Sequence, residues 1–561
     1  MKKLVWTLPY LAALVPCALL INLHHFFNGD GAFHLWYTAY AADYLHYHWK
    51  FPLVLNSVTL TGNTAPLLYG TLFFPLAALP AMILGAAGSI RLLAYLVFLI
   101  QIQSVRGLFR RTGSDPVWGW AMALTCAWAI YPLTNLYSRS ALPEFFGAGF
   151  FFIGIVWFLS SGFEPAGKTK NRLVIGAFIL GTIGAGTHPI TAYLALGVLP
   201  LALLVYLSKS PDKWSISIPR TIGALALCLG LLAPCLVAIH YFRGRLDIER
   251  AYLSLKTFDF DRLWVRLFPL PLDPRTFSAP LESIPTPYCD TQINIGIAIA
   301  FLFSYLLNFR KMTWPARTLG LLILFVAIVI LEMSVNPAMS PALDRNLRIA
   351  QFGYRLVTPV NWLLFLGTVL SIVPGAARKF QAPSKWIAIA LIGLSFAAVV
   401  IKLNHATAVM TIADGALIGP SFLNSDQHRQ SPAISDPNGR DYCIHFLEEA
   451  ETETAGIPRE KFSFPIGSGA NFGQVLPADV SFDQVTRVQT NVLEHPWNII
   501  LVDGVTPSPS KLLQSRMYMT DVLMEPGHHT LSYEFRPAPL YEYAILARDF
   551  CALGLLILLL V

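Results

Sequence analysis

Apolar runs alternate with short polar links along most of the chain. They lie at about residues 4–23, 88–109, 116–134, 145–162, 173–187, 190–207, 221–241, 292–308, 318–334, 356–373, 386–402 and 542–561. A helix needs roughly 17–25 such residues to cross the hydrocarbon core of a bilayer. Between alternate pairs lie the basic links RGLFRRTGSD, EPAGKTKNR, SKSPDKW, FRKMTWPAR and PGAARKFQAPSK. Placing all of them in the cytoplasm satisfies the positive-inside tendency. This works if the apolar stretch 65–86 does not cross, and its Pro66, Pro75 and Pro80 suit a re-entrant or interfacial segment instead. The pattern predicts a polytopic α-helical membrane protein of about twelve transmembrane helices, with both termini cytoplasmic. The start, MKKLVWTLPYLAALVPCALLINL, reads as an uncleaved first helix, since Pro16 directly before Cys17 makes a poor lipoprotein site.

Residues 403–541 have a different texture. Turn signals such as SDPNG, VDG and EPGHH separate alternating stretches such as TRVQTNVL, WNIILVDG and HHTLSYEF. These predict a C-terminal extracytoplasmic β-sandwich-like domain ahead of a final helix at 542–561. The membrane domain then occupies 1–402. Its first external loop is 24–64, and a longer external loop spans 242–291.

Composition agrees with this class. The chain has 561 residues, of which 55% are hydrophobic and 13% charged, against about 45–50% and roughly 25% in soluble proteins. No P-loop, GxGxxG, HExxH or zinc-like cysteine spacing is present, which argues against a soluble nucleotide enzyme and against nucleic-acid binding. The net charge of +7 says less than where the charges fall. Of the seven cysteines, Cys289 and Cys443 fall outside predicted spans on the oxidising face, where either a disulfide or two separate thiols fits.

The candidate chemistry lies at membrane edges predicted to share the external side. FNGDGAFHLWYTAYAADYLHYH carries Asp30, His34, Asp43, His46 and His48 among aromatics, and residues 30 and 34 would share one face of a helix. Arg139 and Glu144 occur in YSRSALPEF, His188 in GTHPIT, and Asp344, Arg345, Arg348 and Arg355 in LDRNLRIAQFGYRLVTP. Glu144 and Arg355 abut apolar runs. Charges at membrane depth cost a few kcal/mol or more unless paired or lining a cavity, and are functional candidates by default. A structural Glu–Arg pair that locks helices is the alternative. Cations beside a carboxylate in an external cavity suit a phosphate-bearing amphiphile.

An acid just after the first helix, an interfacial segment before the second and a soluble domain near the C-terminus resemble the GT-C superfamily of membrane glycosyltransferases. The segments GDGAFHLWYTAYAADYL, YSRSALPEFF, GTHPIT and RIAQFGYRLVTPV, with the ending WNIILVDGV…VLMEPGHHTLSYEFRP, more closely resemble the bacterial YfhO-like membrane family. That family includes proteins labelled 6-pyruvoyl-tetrahydropterin synthase-related. The resemblance implies an integral enzyme of the bacterial inner membrane. It would transfer a sugar, with inversion, from a polyprenyl-phosphate donor to an extracytoplasmic glycan, lipid or protein acceptor. It makes Asp30 the general base on the acceptor hydroxyl, with His34 and Glu144 as further catalytic candidates. Arg139, His188, Arg348 and Arg355 become the donor-phosphate candidates. Asp30 and His34 could ligate a divalent ion, which some members of the superfamily use and others do not. The chain departs from the paired acids common in several branches by having a single acid in GDGAFH. A lipid-linked saccharide transporter and a non-catalytic scaffold of envelope assembly are the alternatives. The chain shows no repeated halves of the kind common in transporters.

Overall fold

The computed structural model describes residues 2–21, 31–57, 60–165, 167–210, 218–242, 293–335, 353–372, 381–409, 456–514 and 519–560. Its helical part comprises α1 (Lys2–Leu14), α2 (Gly31–His48), α3 (Phe73–Arg111), α4 (Pro116–Ala127), α5 (Leu142–Ser161), α6 (Lys168–Thr187) and α7 (Pro189–Lys209). It continues through α8 (Ile218–Phe242), α9 (Ile295–Asn308), α10 (Trp314–Val335), α11 (Val357–Ser371) and α12 (Gln381–Val409) to the terminal α13 (Pro539–Leu560). Every apolar run named above contains a helix. By length and composition, 6 helices among the described residues can cross a membrane on their own.

At the centre lies α11, buried at every position from Val357 to Ser371. A helix that is apolar all round must be enclosed by others. The packing of α5 against α6 depends on missing side chains. A Cβ on Gly154 would lie 3.0 Å from the Ala177 carbonyl, and one on Gly184 would lie 3.0 Å from that of Gly147. Similarly, a Cβ on Gly230 of α8 would overlap the Cys551 sulfur of α13. Cys17, Cys126, Cys228, Cys235 and Cys551 are free thiols; Cys289 and Cys443 lie outside the described residues.

In three stretches the structure carries detail that the hydrophobic pattern does not. The predicted loop 24–64 contains α2, whose residues 33–43 are all buried. Its aromatic density lets it serve as a packed element rather than a solvated link. The stretch 65–86 is helical at Ala65–Leu68 and again from Phe73, and the proline effect is localised. Pro75 sits in the first turn of α3, where the missing N–H has no intrahelical partner to lose. That helix instead breaks at Gly85, which takes φ 70° and ψ 168°. The third stretch, 116–134, departs from the expected single helix. It ends α4 at Ala127, passes an extended Ala129 and resumes as a short turn at Ile130–Leu133 followed by a π-helical turn at Thr134–Ser138.

Strands β1 (Arg459–Lys461), β2 (Ala478–Phe482), β3 (Thr486–Leu493), β4 (Asn498–Val502), β5 (Leu512–Gln514), β6 (Met519–Met524) and β7 (Gly527–Phe535) form two sheets, ordered β1-β3-β6-β5 and β2-β7-β4. β1 runs parallel to β3 and the other pairs are antiparallel. Phe464, Phe482, Val488, Ile500, Val522 and Leu531 fill one core between the sheets. The domain is bonded to the membrane part through residues 55–63. Thr61 pairs with Val492, its N–H donating to the Asn491 carbonyl at 2.7 Å, and the Asn498 amide donates to the Gly62 carbonyl at 2.9 Å. Gly62 has φ 76°, and a Cβ there would collide with Asn498. His48 closes the contact from α2, its Nε2–H donating to the Phe472 carbonyl at 2.8 Å.

Inside the domain, Arg487 Nε donates to Asp521 Oδ2 at 2.8 Å, with both side chains fully buried. Removing one partner of such a pair strands the other charge and costs about 3–5 kcal/mol, whereas replacing both with apolar residues can be neutral. Asp521→Ala is therefore expected to lower stability by about that amount, and Arg487→Met with Asp521→Leu to restore most of it. Hydrogen exchange of β3 and β6 in the full chain measures this; equal protection in Asp521→Ala and wild type would refute it.

Candidate functional site

The break after α4 assembles the site. A π-turn adds one residue per hydrogen-bonded ring and is a recurrent device at functional positions. Here it closes with the Arg139 N–H donating to the Thr134 carbonyl at 2.9 Å. Tyr131, Asn135 and Arg139 are thereby turned toward the first turn of α5, where Glu144 sits. The Tyr131 hydroxyl and the Asn135 amide donate to Glu144 Oε1 at 2.7 and 3.1 Å. Arg139 Nη1 donates to Asn135 Oδ1 at 2.6 Å and to Glu144 Oε2 at 3.1 Å. Arg355, in the turn leading into α11, donates its Nε to Glu144 Oε2 at 2.9 Å. Glu144 is 2% exposed, so this carboxylate has exchanged water for four protein donors, two of them cations. It also lies at a helix N-terminus, where the backbone favours negative charge.

Two histidines flank the cluster with opposite polarity. His34 Nδ1 lies 2.9 Å from the Ser140 carbonyl, which can only accept, so Nδ1 carries the proton. In the neutral ring Nε2 is then a lone pair. His188 Nδ1 instead accepts from the Thr191 N–H at 3.2 Å and meets the Thr191 hydroxyl at 2.6 Å. Its Nε2 therefore carries the proton, and that buried atom has no hydrogen-bond partner among the described residues. Burial, with Arg355 as the next contributor, holds His188 well below the ordinary imidazole value, in accord with a neutral ring. The Tyr69 ring lies between the two histidines, 6.2 Å from His34 and 5.7 Å from His188. Ser140 takes φ 51°, an uncommon conformation for a non-glycine residue that needs support from its surroundings.

Of the residues expected from sequence, the structure brings Arg139, Glu144 and Arg355 into direct contact and sets His188 and His34 beside them. Asp30 and Arg348 lie outside the described residues, as do Asp344 and Arg345. Asp43 is buried in α2, His46 is exposed and His48 bonds the β domain. Sequence reasoning missed Tyr131, Asn135, Tyr69 and Thr191. For the first two a signal existed: polar groups at 131, 135 and 139 repeat every four residues, the spacing of one helix face. Among the described residues no group of three or more His, Cys, Asp or Glu side chains could hold a metal ion.

Comparison with known proteins adds little. No protein-family model matches the chain, and no curated protein matches it. Among solved structures, the arabinofuranosyltransferase AftD from Mycobacteria is similar at a TM-score of 0.39 and 16% identity, over 72% of this chain and 27% of that one. This chain thus spans about a quarter of the neighbour's length, and a likeness of that size identifies neither fold nor activity. Fold and site together define a polytopic α-helical membrane protein with a buried cationic cluster and a C-terminal β domain.

The close approach of α5 to His188 is a testable constraint. A Cβ on Gly147 would lie 2.9 Å from the His188 Cβ, whereas one on Gly197 would meet nothing within 4 Å. Gly147→Ala is expected to cost about 1–3 kcal/mol through overpacking. Gly197→Ala is expected to be neutral or to stabilise slightly, since alanine favours a helix by up to about 1 kcal/mol. Thermal melts of the two purified variants measure the contrast; equal melting temperatures would contradict it.

Proposed function

We propose that this chain is an integral membrane glycosyltransferase of the GT-C type. It transfers a sugar from a polyprenyl-phosphate donor to an extracytoplasmic glycan, lipid or protein acceptor. The observation that carries the reading is the Nε2–H of buried His188, without a partner among the described residues, beside Arg355, Arg139 and Glu144. A preorganised donor aimed into a water-poor cationic site is suited to an oxygen that gains negative charge as a bond breaks.

In this reading Asp30 accepts the proton of the acceptor hydroxyl as that oxygen bonds the anomeric carbon, since a sugar hydroxyl is a poor nucleophile unaided. The bond from the anomeric carbon to the donor phosphate oxygen breaks on the opposite face, giving inversion. Its electron pair leaves with the polyprenyl phosphate. Arg355, Arg139, Arg348 and the His188 N–H stabilise that departing charge. Glu144 has the distinct task of fixing both guanidinium groups rather than moving a proton, because its oxygens already accept four hydrogen bonds. His34 orients Asp30 or a hydroxyl in this reading, or ligates a divalent ion with Asp30. The site and the β domain are taken to lie on the external face of a bacterial inner membrane.

The test compares Asp30→Asn with wild type for lipid-linked sugar accumulation and external glycan composition. Loss of a positioned base is expected to reduce transfer by roughly 10²–10⁴-fold, with the lipid-linked donor accumulating. A well-folded Asp30→Asn protein that leaves glycan composition unchanged would overturn the assignment of the base. Normal composition in cells lacking the whole chain would overturn the transferase reading.

A further inference from the structure

A second site lies apart from the Glu144 cluster. Between α2, the first half of α3, α8, α13 and the β domain is a cavity of about 830 Å³, within the roughly 300–1,000 Å³ of small-molecule sites. One wall is apolar, formed by Leu76, Leu79, Leu231, Pro234, Ile545 and Ala552, with Leu79 54% exposed. The wall nearer the β domain offers Asn56, Gln474 and Tyr533. The stacked rings of Tyr37 and Phe74, 3.5 Å apart, separate the cavity from His34.

Two charges also line it. Arg548 and Asp549 sit on α13, where Arg548 Nε donates to Asp549 Oδ1 at 2.9 Å. No other ion partner is present for either among the described residues. At a rise of about 1.5 Å per residue, Arg548 lies roughly 14 Å along the helix from its start at Pro539. Charges at such a position in an apolar helix call for a functional explanation. An ion pair between neighbours on one helix also leaves each group only partly satisfied, and the Asp549 side chain is 61% exposed.

We propose that this cavity holds one zwitterionic phospholipid bearing a primary amine. Its phosphate lies against Arg548 and its ammonium against Asp549, with the acyl chains along the apolar wall between α3, α8 and α13. Charge complementarity selects the headgroup. A purely anionic lipid would bring like charge to Asp549, and a quaternary ammonium has no N–H to donate to the carboxylate. The lipid would fill the gap between the β domain and the membrane helices, a role separate from sugar transfer.

The test is native mass spectrometry of the detergent-solubilised full chain. It is titrated in turn with phosphatidylethanolamine, phosphatidylcholine, phosphatidylglycerol and a polyprenyl phosphate. One phosphatidylethanolamine is expected to be retained about tenfold more tightly than any of the others, a difference of about 1.4 kcal/mol. Arg548→Gln and Asp549→Asn should each remove that preference without changing the melting temperature in lipid-free detergent. Ala552→Trp, which fills the apolar end, should abolish retention. Equal retention of phosphatidylcholine or phosphatidylglycerol, preference for the polyprenyl phosphate, or retention unchanged in both charge variants would each overturn the proposal.

Discussion

A carboxylate taken out of water must recover the hydrogen bonds and countercharge that water supplied, or it will not stay ionised inside the protein. Glu144 meets that demand with four donors drawn from separate parts of the chain: Tyr131, Asn135 and Arg139 from the broken end of a helix, and Arg355 from more than two hundred residues downstream. These bonds hold a π-turn, the first turn of α5 and the entry to the fully buried α11 in one arrangement. The helical bundle could form with an apolar residue at this position. The charged cluster could not.

The surrounding elements repeat this logic of separate segments converging on one place. Gly147 and Gly184 let α5 and α6 approach until His188, the single residue between α6 and α7, is enclosed with one donor unmatched. Tyr69 carries the contact across to His34 on α2. That helix is held in turn by the β domain through His48, and the segment after it by the sheet-like pairing of Thr61 with Val492. The β domain is therefore coupled to the helix that lines the site by a side-chain bond from its last residue, and by backbone bonds from the segment that follows.

Much of this was legible in the chain, because burial in a bilayer selects long apolar runs and twelve such runs each contain a helix. The strands β3, β4 and β7 were visible for the same kind of reason, as alternating stretches bounded by turns. What escaped notice depends on interactions between distant segments. The run 116–134 is apolar enough to read as one helix, and Pro132, three residues beyond the extended Ala129, is its one local breaking signal. Tyr131 and Asn135 acquire their meaning only when Glu144 is set against them, and Arg139 was noticed only because it is charged. In the opposite sense, the burial of α2 is hard to read from sequence because its histidines and tyrosines are polar by type, although their rings pack as readily as apolar ones. Glu144 and Arg355 were recognisable as charges beside apolar runs; their direct contact, 211 positions apart, was not.

The most direct test of the central claim is a double-mutant cycle between Glu144 and Arg355, using Glu144→Gln, Arg355→Gln and the double variant. Unfolding free energies are measured on the purified full chain. A buried charge pair that organises its surroundings predicts a coupling energy of about 1–3 kcal/mol, with the double variant less destabilised than the sum of the singles. Additive effects within about 0.3–0.5 kcal/mol would show that the two residues act independently, and would contradict the account of Glu144 as the residue that assembles the site.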